Sequence, residues 1–216
     1  MDAKELIARR VAQELRDGTL VNLGIGLPTM VAHYVPEDML VAFQSENGII
    51  GFGSRPPDGM EDPNLTDAGG GFISALPGAY AFDSATSFAL IRGGHLDMTV
   101  LGGLQVDERG HLANWLVPGK MVAGMGGAMD LVAGARRVII AMQHAAKGEA
   151  KIVPELTLPP TAARPVSLVV TDLAVIEPTP EGLVLRERAP GVSIGDILAL
   201  TTAKLILPAS IPEMRL

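Results

Sequence analysis

A single acidic residue, Glu46, stands between an apolar run and an Asn-Gly pair. The run, residues 39–43, has the composition of a buried strand, and Asn47 with Gly48 favours a tight turn because both residue types tolerate positive φ. Side chains at such a strand end project at the edge of the sheet, where ligands bind in open α/β folds. A carboxylate there can act as a nucleophile and form a covalent intermediate. A loop carboxylate considered alone, however, is more often simply solvated.

A glycine turn earlier in the chain is a second candidate for chemistry. Asn22 lies in a predicted strand that ends at Leu23, Gly24 and Gly26 follow it, and Pro28 suits the first residue of a helix. Free backbone N–H groups at the start of a helix can hold an anion such as a phosphate. The same glycines could instead serve only close packing between helix and sheet, so both interpretations stay open.

A second glycine turn, residues 124–127, precedes a predicted helix that starts at Ala128. Amides at such a turn can point into a cavity and stabilise an oxyanion. A simple connecting turn is the alternative interpretation.

The elements that must position these groups follow from hydrophobic periodicity and turn residues. Helices are predicted over residues 3–17 and 84–92, with a last short helix starting near Ser193. Since no change in composition marks a boundary, one domain spanning residues 1–216 is expected. Strands are predicted over residues 19–23, 39–43, 72–76, 98–104, 137–142, 166–176, 183–187 and 204–207.

Composition excludes several classes of function. The hydrophobic fraction of 48% is sufficient for a core, yet no apolar run approaches the roughly 18 residues of a membrane span. The chain has no cysteine and no signal-peptide pattern at its start, which favours a cytoplasmic protein. A formal net charge of −7 argues against nucleic acid as a partner. The four histidines share no ligand spacing, so no metal site is predicted.

Four segments together resemble the glutamate-bearing (B) half of family I coenzyme A-transferases that act on 3-oxo acids. The resemblance implies an α/β fold with a single open, mostly parallel or mixed sheet layered with helices, as in the CoA-transferases and ribose-phosphate isomerases. The segments occur in the order of that family and are residues 21–28 (VNLGIGLP), 43–51 (FQSENGIIG), 87–95 (SFALIRGGH) and 112–131.

The same resemblance assigns roles to residues. It implies that Glu46 is the catalytic nucleophile and that Gly127 donates to the oxyanion. Coenzyme A is a substrate in that family, carried as acyl-CoA, and no permanently bound cofactor is implied. One departure is that no lysine follows Ala68-Gly69-Gly70, where the family often has one. The residues expected to contact coenzyme A are Asn22, Gly24, Gly26, Asn47, Gly48, Asn114, Lys120 and Gly126.

The implied reaction transfers coenzyme A from succinyl-CoA to acetoacetate by a ping-pong route through a glutamyl-CoA thioester. The 3-oxoadipate enzymes are close relatives and remain an alternative. Because the chain matches only the glutamate-bearing half of these enzymes, the resemblance also implies a homologous A (alpha) subunit as partner, in an α2β2 heterotetramer.

Two other classes of function compete with this interpretation. Gly24 and Gly26, with Glu46 twenty residues further on, imitate a dinucleotide-binding fingerprint, but Thr29 stands at the position of its third glycine. A ligand-sensing protein, with Glu46 merely holding a sugar hydroxyl, is the non-enzymatic alternative.

Overall fold

The computed structural model describes residues 1–119 and 125–216. Its α-helices are α1 Ala3–Ala12, α2 Ser84–Arg92, α3 Ala128–Gly134 and α4 Ile194–Ala199, and a 3₁₀ helix covers Leu27–Tyr34. No helix within these residues is both long and apolar enough to cross a bilayer. The strands are β1 Thr19–Leu23, β2 Val41–Ser45, β3 Ile49–Gly53, β4 Ser74–Ala81, β5 Met98–Leu101, β6 Gln105–Asp107, β7 Leu112–Ala113, β8 Arg137–Ala141, β9 Ala145–Ala146, β10 Glu149–Ala150, β11 Ile152–Val153, β12 Leu168–Val170, β13 Ala174–Thr179, β14 Gly182–Arg188 and β15 Leu205–Ile206.

Most strands belong to one ten-stranded sheet, which confirms the predicted open, mixed α/β architecture. Its order is β15-β14-β13-β12-β8-β5-β1-β2-β3-β4. The five central strands, β12 to β2, are mutually parallel, and antiparallel pairings join β13 and β14 on one side and β3 and β4 on the other. Two small sheets, β11-β6-β7 and β10-β9, complete the fold.

The order of the parallel strands defines a crevice. From β1 the chain moves to β2 on one side, and it later returns to β5 on the other side of β1. Such a reversal leaves an opening at the carboxyl ends of the strands, and this is where ligands bind in open α/β sheets. Asn22 and Glu46 lie at this edge, near the ends of β1 and β2.

Hydrophobic clusters cover both faces of the sheet. Side chains alternate along a strand, so Val138 and Ile140 of β8 pack into one cluster while Ile139 and Ala141 pack into the other. The first cluster contains residues of α2 and α3, and the second contains residues of α1 and the 3₁₀ helix. Helices therefore layer the sheet on both faces.

Several predicted boundaries differ from the observed ones. Helix α1 ends at Ala12, because residues 14 and 15 donate to carbonyl oxygens only three residues earlier and the chain turns there. Strand β2 runs to Ser45, two residues beyond the prediction, because its parallel register with β1 carries the ladder to Gln44. The predicted helix over residues 84–92 is confirmed.

The stretch 166–176, for which the sequence predicts one strand, forms two, β12 and β13. The chain reverses after β12 because the Thr171 hydroxyl accepts hydrogen bonds from the N–H groups of Leu173 and Ala174. A side-chain oxygen that caps a tight turn in this way competes with continued strand pairing.

A buried histidine ties this reversal to the rest of the fold. The ring of His144, which has no exposed surface, lies between the hydroxyl oxygens of Thr171 (2.9 Å) and Thr201 (2.8 Å). Burial lowers the pKa of His144 to about 4, against the opposite effect of the Asp172 carboxylate. The neighbouring cation is Lys151, whose backbone N–H donates to the His144 carbonyl oxygen. The ring is therefore neutral and structural.

Acidification is expected to destabilise the fold through His144. The folded chain binds this proton near pH 4, whereas the unfolded chain binds it near pH 6.5, so unfolding takes up a proton between these values. The free energy of unfolding should fall by up to about 3 kcal/mol from this histidine as the pH drops through that window. Urea unfolding at several pH values measures the loss.

His144→Gln is the matched control. The variant should be less stable at neutral pH but should lose less stability on acidification, and the contribution of every other titrating group cancels in the comparison. Equal losses in the two proteins would contradict the prediction.

Candidate active site

Glu46 is the first residue of a tight turn that joins β2 to β3. Only Gly48 of the Asn-Gly pair takes a positive φ, at +124°, and a Cβ there would collide with the carbonyl oxygen of Phe82. The Gly48 N–H donates to the Ser45 carbonyl oxygen, and the Phe82 N–H donates back to Gly48. The turn is thereby pinned, and it presents the half-buried Glu46 at the carboxyl edge of the sheet.

Asn22 is hydrogen-bonded to the Glu46 carboxylate. Its side-chain Nδ2 donates to Oε2 of Glu46 at 3.2 Å, and it also contacts the backbone oxygen and Oε1 of Gln44 at 3.2 and 2.9 Å. Asn22 is fully buried on β1. This strand therefore holds an amide donor beside the candidate nucleophile.

Gly127 approaches Glu46 as well. A Cβ added to Gly127 would lie 3.3 Å from Cγ and 3.4 Å from Oε1 of Glu46, and 3.3 Å from the ring of Phe88. Gly127 is buried at the start of α3, and α3 is fixed against α2 by the Arg92–Asp130 ion pair at 2.7 Å. The absence of a side chain lets the backbone of residue 127 stand next to the carboxylate.

Three of the predicted site residues are thus brought together: Asn22, Glu46 and Gly127. Within residues 1–119 and 125–216, the Glu46 side chain accepts a hydrogen bond from Asn22 and takes part in no ion pair. The same residues contain no cluster of three potential metal ligands. The arrangement is a carboxylate with no ion pair to any described residue, flanked by an amide donor from Asn22 and by the backbone of Gly127.

A cavity of about 490 Å³ opens beside Glu46. Gly24 lines it, together with the apolar side chains of Leu23, Phe43, Phe52 and Phe72. Its polar wall is formed by His33, Arg55 and Asp67, and the irregular loop 54–73 supplies much of that side. A second cavity of about 530 Å³, near Pro178, contains none of the predicted site residues.

The glycines of the first turn have distinct environments. The Gly24 N–H donates to the Val100 carbonyl oxygen at 2.8 Å, so this amide is occupied within the sheet. Gly26 is exposed, has a φ of +87° and immediately precedes the 3₁₀ helix. Gly126 is exposed beside Gly127, with a φ of +56°.

The remaining predicted contacts have hydrogen-bond partners other than Glu46 or lie outside the described chain. The exposed Asn47 side chain donates to the Thr66 carbonyl oxygen and anchors the loop 54–73. Asn114 follows β7 of a small sheet, and its Oδ1 accepts a hydrogen bond from Thr161. Lys120 lies outside the residues that the structure describes.

Sequence reasoning missed four residues around the site. Gln44, Ser87 and Phe88 fall inside two of the four segments that carry the resemblance, yet nothing in their types indicated a role. Thr99 gave no signal at all, because its hydrogen bond to Asn22 arises from strand pairing across 77 residues.

Comparison with known proteins places this geometry in a family. A model described as "Coenzyme A transferase" matches residues 4–200. The beta subunit of the acetate CoA-transferase of Escherichia coli (strain K12) is 57% identical over 216 residues, which cover 100% of this chain and 99% of the relative. The B subunit of the succinyl-CoA:3-ketoacid coenzyme A transferase of Helicobacter pylori (strain ATCC 700392 / 26695) is 48% identical, over 93% and 97% of the two chains. The B subunit of the 3-oxoadipate CoA-transferase of Acinetobacter baylyi is 46% identical, over 94% of each.

Solved structures share the fold at lower identity. The acyl-CoA transferase YdiF of Escherichia coli O157:H7 superposes with a TM-score of 0.78 at 23% identity, and this chain covers only 43% of that longer chain. The decarboxylase AibA/AibB superposes with a TM-score of 0.71 at 20% identity, over 99% of this chain and 88% of that one. These likenesses show the fold alone. The match over residues 4–200 and the 57% identity to a full-length relative show more: this chain belongs to the coenzyme A transferase family.

Proposed function

We propose that the chain is the glutamate-bearing subunit of an enzyme that moves coenzyme A from an acyl-CoA to a free carboxylic acid. The observation that supports this most directly is the placement of Glu46. Its carboxylate is unpaired by any cation of the described chain, receives a hydrogen bond from Asn22 and stands against Gly127 at the mouth of a cavity.

The reaction begins with the Glu46 carboxylate. One oxygen attacks the thioester carbonyl carbon, the carbon–sulfur bond breaks, and coenzyme A leaves as a thiolate. The product is a mixed anhydride between the acyl group and Glu46. The thiolate then attacks the glutamyl carbonyl carbon, releases the first acid as a carboxylate and leaves a Glu46–CoA thioester. The second acid reverses both steps, so no net proton or electron is required.

Each attack places negative charge on a carbonyl oxygen. Nδ2 of Asn22 donates to one carboxylate oxygen at 3.2 Å, and a Cβ added to Gly127 would lie 3.4 Å from the other oxygen. Removing one well-placed donor from such a site typically costs about 3–4 kcal/mol of barrier stabilisation. The neighbouring apolar side chains limit access of water, which would hydrolyse the anhydride.

The acid pair that we propose is succinyl-CoA and acetoacetate. Relatives named for succinyl-CoA:3-ketoacid transfer support it, while relatives named for acetate and 3-oxoadipate keep those acids as alternatives. Phe43 and Phe52 line the cavity and offer apolar contacts to an acyl chain, and Arg55, which also lines it, offers a cation for a second carboxylate. Arg55 is already 3.3 Å from Asp58 and 3.2 Å from Glu61, so a dicarboxylate must compete with those partners.

A homologous alpha subunit is the proposed partner, in an α2β2 assembly. Relatives named as beta or B subunits support it. The cavity lining also supports a partner, because Ile25 and Leu76 line the cavity and are 71% and 50% exposed. Apolar side chains at the mouth of a site are typical of a surface that another protein covers.

The dinucleotide alternative has less support. Gly24 donates its N–H within the sheet, and Thr29 bonds back to the Gly26 carbonyl oxygen, so these groups are engaged by the chain itself. The ligand-sensing alternative predicts reversible binding without a covalent adduct, which the following experiment tests.

Glu46→Gln is expected to abolish transfer, because an amide cannot attack the thioester. Incubating the chain and its alpha partner with acetoacetyl-CoA, followed by peptide mass analysis, should find coenzyme A attached at residue 46 of the wild type and none in the variant. Glu181→Gln, at an exposed turn far from the site, is the control and should keep full activity. Binding of NADH, or an adduct at another residue, would contradict the proposal.

Gly127→Ala should impair catalysis without impairing folding. Residue 127 has an ordinary φ of −83°, so alanine fits the backbone, but the methyl group would press on the Glu46 side chain. Displacing a nucleophile by a fraction of an ångström can reduce kcat by about 10- to 100-fold. Steady-state kinetics and thermal melting measure the two effects.

Gly195→Ala provides the matched control, since a Cβ at residue 195 of α4 would make only an ordinary contact at 3.6 Å. Its kcat should equal that of the wild type. A Gly127→Ala variant with full kcat would argue against close approach at that position.

The purified chain alone should show no transferase activity, because we propose that the alpha subunit completes the site. Co-expression with that partner should restore activity, and full activity without it would refute the partnership.

With the restored complex, a panel of acids tests the substrate proposal. Succinyl-CoA with acetoacetate should give the highest kcat/KM, and a higher value with acetate or 3-oxoadipate would replace that pair.

A further inference from the structure

Three polar side chains lie side by side across the middle of the sheet. Gln44 on β2 pairs in register with Asn22 on β1, and Asn22 pairs in register with Thr99 on β5. We call these three residues the polar row. All three are at most 1% exposed, and their strand neighbours Val21 and Val100 are fully buried apolar residues.

Hydrogen bonds link the polar row from end to end. At one end, Nε2 of Gln44 donates to the Ser87 hydroxyl of α2 at 2.8 Å. In the middle, Nδ2 of Asn22 reaches Oε1 of Gln44 at 2.9 Å. At the other end, the Thr99 hydroxyl donates to Oδ1 of Asn22 at 3.2 Å. The chain of contacts thus runs from helix α2 to strand β5 through the residue that touches Glu46.

The Asn22 amide nitrogen is shared among more acceptors than it has protons. It carries two N–H groups but faces three oxygens, which are the backbone and side-chain oxygens of Gln44 and Oε2 of Glu46. The orientation of the amide plane therefore decides how well Asn22 is aligned for its hydrogen bond to Glu46. The Gln44 backbone carbonyl can only accept, so it requires the nitrogen side of the amide to face β2.

Apolar side chains at the three positions of the polar row would fill the core without needing hydrogen-bond partners. Buried polar groups must find partners inside the protein, and a partly satisfied network is costly. No buried side-chain nitrogen or oxygen in the described ranges lacks a partner, so this network is complete. It ends at the carboxylate, which is the one member open to a cavity.

We propose that the polar row and Ser87 position Glu46 for attack by fixing the plane of the Asn22 amide. Thr99 and Ser87, which do not contact the carboxylate, are positioning residues at the two ends. The inference rests on the proposed function, because it assigns these groups a part in the formation of the Glu46–CoA thioester.

Thr99→Val and Thr99→Ser form the matched pair that tests it. Valine keeps the shape of threonine but leaves Oδ1 of Asn22 without its donor, so the amide plane can turn away from Glu46. In the complex with the alpha subunit, the rate of thioester formation and kcat should fall about tenfold, the scale of one lost hydrogen bond. KM for acyl-CoA should stay nearly constant, and Thr99→Ser should recover most of the lost rate.

A double-mutant cycle with Asn22→Ala shows whether Thr99 acts through Asn22. In the Asn22→Ala background, Thr99→Val should change the rate of thioester formation by less than about twofold, because the group that it orients is already absent. A second tenfold loss in that background would overturn the inference.

Thr171→Val separates positioning from stability. It removes a fully buried threonine hydroxyl that caps the turn after β12, so it should lower the melting temperature but not the rate of thioester formation. If Thr171→Val slows the thioester step as much as Thr99→Val does, the effect is general and the inference is wrong.

Ser87→Ala gives an independent test should Thr99→Val fail to fold. It removes the acceptor of Gln44 Nε2 at the opposite end and should also slow thioester formation, with KM for acyl-CoA unchanged. A wild-type rate in Ser87→Ala would contradict the inference. A wild-type complex that forms no Glu46 adduct would overturn the proposed function itself, and this inference with it.

Discussion

The hydrogen bond from Asn22 to Glu46 depends on the register between two parallel strands. Asn22 pairs with Gln44, and Glu46 follows two residues later, so the two side chains emerge on the same face of the sheet. A slip of one residue would turn Asn22 to the opposite face. The register is held because both faces of β1 and its neighbours are packed, by α2 and α3 on one side and by α1 and the 3₁₀ helix on the other. Packing of the hydrophobic core therefore fixes the geometry of the site.

The second constraint is the turn after β2. The chain reverses at once into the antiparallel β3, and the contact of Gly48 with the Phe82 carbonyl leaves no room for a side chain. Glu46 is thus placed by two independent features, which are the register between β1 and β2 before it in the chain and the glycine turn at Gly48 after it. The approach of Gly127 depends on a third, the packing of α3 against α2.

Sequence patterns are sufficient wherever a local signal decides the structure. Helix α2 has the limits that its sequence predicts, and the helix start at Ser193 is confirmed by a capping box with Asp196. The grouping of Asn22, Glu46 and Gly127 is implied by the family resemblance, since no local pattern joins residues 81 positions apart. Thr99 and Ser87 could not be found in that way, because their role arises only when strands and a helix that are distant in sequence meet. The reversal at Thr171 escapes prediction because a single hydroxyl overrides an apolar run.

The fold provides the crevice, whereas the residues at its edge decide the chemistry. A CoA transferase and a decarboxylase share this arrangement of strands, so the sheet alone does not determine the reaction. What favours acyl transfer here is a carboxylate that is held by an amide yet unpaired by any cation of the described chain. This arrangement leaves the carboxylate free to form a bond, as the proposed function requires. The proposed anhydride at that position needs shelter from water, and a cavity with exposed apolar residues at its rim is compatible with the proposed closure of the site by a second polypeptide.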